Sequence, residues 1–320
     1  MCPQKYQLFF ILTCILFITC VKGPNMPDEL YRDWKGQIIY CSEDDGDFEI
    51  YSVNADGSEV TQLTKNDDKD TNPACSPDGK FIAFSSQRDG NSEIYVMDVS
   101  GNNQINISNT PKYWEIMPQW SPDSKKICFA SNRDGEGYYD IYTMNADGSN
   151  VQQVFESSVH DWAPTWSPDG SKICFISEMA IAGGGTDMLF IYDLIADTLI
   201  HLTRDANYAY YSPAWSPDGS SIACDVLMTT DSGSQFDVGI INLHTHEIIR
   251  HSVLGEARQN GNLWGPVSMS WSPDGSMLAF CAVDPAEGYN IDIYTMYADG
   301  TNIRRLTHSV ADDFAPSWKN

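Results

Sequence analysis

The sequence predicts an all-β protein, a six-bladed β-propeller closed by pairing its C-terminal strand with the N-terminal blade. Three observations carry this. A segment built on Ser-Pro-Asp recurs along the chain, preceded by Cys75, Trp120, Trp166, Trp215 and Trp271, and a sixth copy, APSW, ends at Trp318. The steps between these landmarks are 45, 46, 49, 56 and 47 residues, the length of a propeller blade. The order of the pieces is also offset: the repeats begin on a second strand, GQIIYCS, and finish on a first strand, APSWKN. Only a ring lets that last strand complete the first blade, and closure leaves no long open sheet edge.

Each repeat reads as four short strands. The first ends at the landmark residue. Ser-Pro-Asp-Gly then turns the chain, because Pro presets φ and Asp and Gly tolerate the angles that follow. The second strand is KFIAF, KKICFA, SKICFIS or MLAFCAV, and the third EIYSV, EIYVM or DIYTM. Asp-Gly hairpins, NADGS and YADGT, lead to a fourth strand such as VTQLT, LIHLT or IRRLT,. No long helical period is present. The landmark tryptophans are expected to wedge between neighbouring blades.

PTWSPDGSKICFIS followed by DIYTMNADGSNVQQV resembles the six-bladed propeller repeats of the TolB family, over about residues 36 to 320. TolB proteins also carry a small α/β domain before the propeller. Here GPNMPDELYRDWK alone separates the leader from the first strand, so the resemblance implies a TolB-type propeller without that domain. The organisation read from the sequence is an export signal over 1–20, a linker over 21–35 and the propeller over 36–320.

The leader has Lys5 and then an apolar run from Leu8 to Val21. That run is short for a membrane span, which needs about 20 residues, and suits an export signal. Cys20 ends it, as in bacterial lipoprotein signals, although Phe17-Ile18-Thr19 departs from their usual pattern. Lipidation at Cys20, ordinary cleavage and an uncleaved anchor are the three readings; all place the protein outside the cytoplasm, in the periplasm or cell envelope. The nine cysteines do not read as a disulfide set. Cys41, Cys128, Cys174, Cys224 and Cys281 recur in second strands and Cys75 replaces a landmark tryptophan, as small buried side chains do. No CxxC occurs, which argues against structural zinc.

A net charge of -25, from 44 acidic and 19 basic residues, excludes nucleic acid as a natural partner and disfavours anionic membranes. It favours cations or basic protein patches. The fourth-to-first and second-to-third loops share one face of the ring, and the Ser-Pro-Asp turns share the other. Insertions fall on the loop face: SEMAIAGGGTDM, VLMTTDSGSQFD and LGEARQNGNLWGPVSM. Five residues before each landmark stand Asp70, Glu115, Asp161, Tyr210, Pro266 and Asp313, which repeat symmetry would bring round the channel mouth. Aromatic residues lie close by in sequence: Tyr113, Trp114, Trp162, Tyr208, Tyr211, Trp264 and Phe314. Carboxylates beside aromatics suit a sugar, a hard cation such as Ca²⁺ or a protein hot spot. The plainer reading is that these acids cap backbone amides between blades. His244 and His246 replace the Asp-Gly hairpin and read as a turn, and Arg88 and Arg133 in the Arg-Asp-Gly loops are expected to pair with nearby carboxylates. No Gly-x-Ser-x-Gly, HExxH or phosphate-binding Gly-Lys motif is present.

These features point to a monomeric, non-catalytic binding module of the envelope, without a resident cofactor, gripping a protein or peptide at the channel mouth. The expected contact residues are Asp70, Glu115, Asp161, Tyr210, Asp313, Trp114, Trp162 and Trp264. The alternative is a polysaccharide-acting enzyme or glycan-binding protein using the same acids for acid/base work or a divalent cation. A relative of peptidase propellers lacking the hydrolase domain is a third class.

Overall fold

The computed structural model describes residues 36–135, 137–179, 187–205, 207–230, 233–252, 269–283 and 290–319, with the side chains of 229, 230 and 233–235 left out. Cys20, Trp264 and most of two of the three insertions lie outside these residues. The described residues form six four-stranded antiparallel sheets and contain no helix, as the sequence predicts. The blades are numbered I to VI along the chain.

Blade I holds Gln37–Ser42, Glu49–Asn54 and Thr61–Gln62, and its innermost strand is Asp313–Lys319 from the far end of the chain. Gln37 faces Lys319, Ile38 faces Trp318 and Ser42 faces Asp313, so the ring closes through backbone hydrogen bonds. The innermost strands of the other blades are Asp70–Cys75, Glu115–Trp120, Asp161–Trp166, Tyr208–Trp215 and Ser270–Trp271. Second and third strands are buried almost throughout, because each blade is covered by a neighbour on both faces. Phe84, Phe129, Phe175 and Phe280 fill one layer with no exposure, and the second-strand cysteines lie buried as free thiols. Burial pushes the Cys41, Cys128 and Cys224 thiols up, away from reactivity,.

Two of the tryptophans bridge to the preceding blade by hydrogen bond: Trp120 Nε1 donates to the Ala74 carbonyl at 3.1 Å and Trp271 Nε1 to that of Ala214 at 3.1 Å. In the turn after Cys75, the Ser76 hydroxyl donates to Asp78 at 2.7 Å and its oxygen accepts the Phe81 N–H at 2.9 Å. Ser121, Ser167, Ser216 and Ser272 repeat this arrangement. The Ser167 hydroxyl, with the N–H and hydroxyl of Ser171, pulls the Asp169 carboxyl down to about 2.

Two features were not evident from the sequence. Five of the six innermost strands carry a β-bulge three residues before the landmark, where Asn72, Met117, Ala163, Ser212 and Ala315 adopt φ between 49° and 56°. Left-handed backbone is unfavourable for such residues, and the bulge bends each strand round the channel. In blade V, VLMTTDSGSQFD is not a loop: Ser221–Thr230 and Gly233–Asn242 pair along their whole length, from Ser221 opposite Asn242 to Thr230 opposite Gly233. Its Val, Leu and Thr residues favour extended backbone and lengthen the hairpin.

Outer hairpins interlock round the rim. A Cβ on Gly148 would lie 2.1 Å from the Ile107 carbonyl oxygen of the blade before, whereas one on Gly135 would meet nothing within 4 Å. Both glycines have φ of +82°. Gly135→Ala is expected to cost about 1–2 kcal/mol, from its backbone conformation alone. Gly148→Ala should cost clearly more in urea unfolding, and equal costs would show that the blades do not need this close approach. Deleting Phe314 to Asn320 should remove most of the closing strand and lower the melting temperature far more than an ordinary point mutation, which costs about 0.5–3 kcal/mol. A truncated protein that melts with the wild type would contradict the role of this pairing.

Candidate functional site

The acids expected at the channel mouth do open the innermost strands: Asp70, Glu115, Asp161 and Asp313 are each the first residue of theirs. They are, however, buried, at 0–1 % exposure. None is among the residues that line the central cavity of about 360 Å³, whose walls include Asn72, Met117, Ala163, Ser212, Pro316 and the turn prolines. Tyr210 is also buried, in the core between blades IV and V.

Each acid instead faces another from the preceding blade. Glu49, Glu93, Asp140 and Asp292 stand at or next to the start of third strands and are equally buried. The sequence carried a signal for them, since each directly precedes the recurring Ile-Tyr pair of EIY or DIY. Four junctions between blades therefore hold two buried carboxyl groups apiece, and burying charge demands partners.

At junction I/II, Arg88 meets Asp70 at 2.6 Å, while Asn66 donates to Asp70 at 2.9 Å and also to Glu49. At junction II/III, Arg133 meets Glu115 at 3.0 Å. The Ser131 hydroxyl donates to Glu115 at 3.1 Å, and the Thr110 hydroxyl lies between Glu115 and Glu93, at 2.8 and 3.2 Å. Both guanidinium groups lie over aromatic rings, Arg88 at 4.7 Å from Tyr95 and Arg133 at 5.1 Å from Tyr142,. The expected pairing of the Arg-Asp-Gly arginines with carboxylates is therefore present. At junction VI/I, Arg305 meets Asp292 at 2.9 Å. At junction III/IV, Asp140 accepts the Ser157 N–H at 3.3 Å.

Burial pushes the Asp161 and Asp313 carboxyls up to about 6 and those of Glu49 and Asp140 to about 7. Desolvation is the leading cause at each; repulsion from neighbouring acids adds less.

Above these acids the loop face carries aromatic groups. Trp114 and Tyr138 are 42 % and 38 % exposed. His160 lies 5.3 Å from Tyr138, edge to face, and stacks 6.2 Å from the half-buried Trp162. Blade I adds acids to the same face: carboxylate oxygens of Asp45, Asp47 and Glu49 approach within 4.8 Å of one another, beside Asp67 in a shallow cleft, donors of the kind a hard cation accepts. His244 and His246 lie exposed in a hairpin whose backbone is held by Asn242, a turn as expected.

Residues 104–266 match the family model described as the TolB beta propeller domain. The chain belongs to the TolB β-propeller family. Residues 34–138 also match the model of the Tricorn protease N-terminal beta propeller domain. Among curated proteins, the "Protein TolB homolog" of Chlorobaculum tepidum is 29 % identical over 113 residues, 35 % of this chain and 25 % of that one. The "Tol-Pal system protein TolB" of Desulfosudis oleivorans is 30 % identical over 124 residues, 39 % of this chain and 27 % of that one. The chain thus matches about a quarter of the length of these relatives. Of solved structures, TolB from Acinetobacter baumannii superposes with a TM-score of 0.73 at 22 % identity, covering 91 % of this chain and 70 % of that one. Oligogalacturonate lyase from Vibrio parahaemolyticus gives 0.56 at 13 %, covering 84 % and 74 %. At such identities the structural likeness establishes the propeller fold alone.

The raised Asp313 carboxyl has a consequence for this TolB-type propeller. The folded protein holds that proton more tightly than the unfolded chain, whose carboxyl titrates near 3.9. Its effect on stability therefore turns unfavourable as pH rises through the window from about 4 to about 6, and is level above it. In urea unfolding from pH 4.5 to 7, Asp313→Asn should show a shallower loss of stability with rising pH than the wild type. Parallel profiles would mean that Asp313 titrates normally.

Proposed function

We propose that this propeller is a non-catalytic binding module of the cell envelope that grips a protein or peptide through its loop face. The observation that carries the reading is the layering at junctions II/III and III/IV. Exposed aromatic groups, Trp114 and Tyr138, lie above carboxyl groups that are sealed from solvent. In this reading Trp114 and Trp162 contact the partner, with Trp264 on the inserted loop as a third anchor. Asp70, Glu115, Asp161, Asp313 and Tyr210 hold the loops that present them. Partially exposed aromatic rings in an acidic surround favour a basic partner, whose Lys and Arg side chains stack on rings and meet the net negative charge.

The names of the curated relatives support an envelope setting: one is a component of a Tol-Pal system. The apolar leader ending at Cys20 supports export, with lipidation at Cys20 as the means of retention. The rival reading, a glycan-binding or polysaccharide-acting protein, draws on the same aromatic groups. The burial of the four acids counts against their use as acid/base pairs on a polymer.

The test compares residues 21–320 with the Trp114→Ala/Trp162→Ala double variant, both immobilised, in capture from envelope extract and on a glycan array. We expect the wild type to retain a protein partner that salt releases, the double variant to lose it with an unchanged melting temperature, and the array to stay blank. Specific glycan binding with no protein retained would favour the rival. Capture equal in both proteins would remove the aromatic groups from the interface.

A further inference from the structure

Two loops that meet at junction III/IV bring four rings together. His160 stands 5.3 Å from Tyr138, edge to face, and 5.8 Å from Tyr139, both of blade III. It lies nearly parallel to Trp162 at 6.2 Å, with 21° between the planes. Its Nδ1 accepts the Tyr139 N–H at 3.2 Å. That bond uses the Nδ1 lone pair, so the neutral imidazole carries its proton on Nε2. The ring is thereby fixed in place as an uncharged surface. His160 and Trp162 are half-buried, and Tyr138 beside them is exposed.

An exposed acid adjoins this shelf. The Glu178 N–H donates to the His160 carbonyl at 3.0 Å. The bond continues the ladder in which Asp161 faces Ser177 and Trp162 faces Ile176. Glu178 is therefore directly opposite His160, and residues opposed in this way project to one side of the sheet. The Glu178 side chain is exposed. The corresponding pairs in other blades are Lys69 with Gln87, Trp114 with Asn132 and Asp312 with Glu43, and Ala209 with Leu227. Among the described residues, only blade IV sets a ring opposite a carboxylate at this position.

We propose that His160, Trp162 and Glu178 form a subsite for an arginine side chain of a basic protein partner, its guanidinium laid on the rings and paired with Glu178. The proposal rests on the partner reading above and names the group that the loop face would grip. The chemistry favours arginine over lysine. A guanidinium is flat and weakly hydrated, and it can lie on a ring while donating two parallel hydrogen bonds to a carboxylate. An ammonium is compact and holds its water. The chain makes the same combination within its own blades. Arg88 lies over Tyr95 and pairs with Asp70, and Arg133 lies over Tyr142 and pairs with Glu115. The net charge of -25 draws a basic segment towards the surface, and the exposed Glu178 gives its cation a partner.

The probes are blocked Gly-Gly-X-Gly-Gly peptides in which X is arginine, lysine or citrulline. Arginine and lysine carry the same charge, and citrulline keeps the shape of arginine without it. Binding is followed by NMR through the ring signals of the six histidines, with that of His160 identified by its loss in His160→Gln. We expect the arginine peptide to move the His160 signal saturably and the citrulline peptide to leave it in place. The lysine peptide should bind at least about threefold more weakly, for want of stacking and of the paired hydrogen bonds. Glu178→Gln should weaken the arginine peptide by about threefold to fivefold, the upper range for an exposed ion pair, with the melting temperature unchanged. A His160 signal that ignores the arginine peptide would overturn the proposal. So would an equal response to lysine, which marks mere attraction to an acidic surface, or an affinity untouched by Glu178→Gln. Movement of the same signal by methyl glucoside and not by arginine would assign the shelf to a sugar instead. Capture of a protein from envelope extract by a chain whose His160 ignores the arginine peptide would remove the subsite and leave the partner reading standing, so the two fail separately.

Discussion

Pairing of Asp313–Lys319 with Gln37–Ser42 is the constraint on which the rest of the molecule depends. No blade of this propeller has a core of its own. Each four-stranded sheet is apolar on both faces, and both faces are covered only when a blade stands on either side. The backbone bonds from Gln37 to Lys319 and from Ser42 to Asp313 therefore do more than extend one sheet. They turn a row of sheets with two unprotected ends into a ring with none. The tryptophan wedges and the interlocked outer hairpins are repeated local expressions of that condition.

The same condition explains the acids. A junction between blades must be apolar or internally neutral, and near the loop face this protein mostly chooses the second. Asn66 and Thr110 each bond to both acids of a junction and so tie one blade's third strand to the next blade's first, while Arg88 and Arg133 neutralise an acid of their own blade. A carboxylate in such a place is costly without its partners, so the junctions specify which surfaces meet. The loops that carry Trp114 and Tyr138 depart directly from these tied positions, and Trp162 follows Asp161 in the strand itself. The aromatic groups on the surface are thereby held by chemistry buried beneath them.

Most of the architecture was legible in the sequence, because a repeat states each instruction several times. Six copies of the landmark residue fixed the number of blades, Ser-Pro-Asp fixed the turns, and the offset order fixed the mode of closure. The arginine pairing was legible for the same reason, since Arg88 and Arg133 recur at one phase. The site was less legible. Asp70, Asp161 and Asp313 looked like surface residues by type, and nothing local reveals that a second acid on another strand will cover them. The left-handed residues at Asn72, Met117 and Ala163 share no side-chain type, so the bulge left no trace in composition. The long hairpin of blade V was hidden by its Asp, Ser and Gly residues, which read as a loop although Gly233 and Ser234 pair with Thr230 and Thr229.

The Ser-Pro-Asp turns also settle which way the ring can breathe. On their face, blades II to VI are each pinned by a serine hydroxyl bonded on both sides, and adjacent turns touch, with the Asp78 N–H bonded to the Ser124 hydroxyl at 3.1 Å and Pro122 against Gly170. The opposite face is joined by longer side chains reaching across charged junctions. Thermal motion that parts two blades meets least resistance there, so the propeller would open like petals from the loop side, with the turn side as the hinge. If the loop face binds as proposed, the surface that flexes is also the one that meets the partner, and it can adjust without loosening the ring.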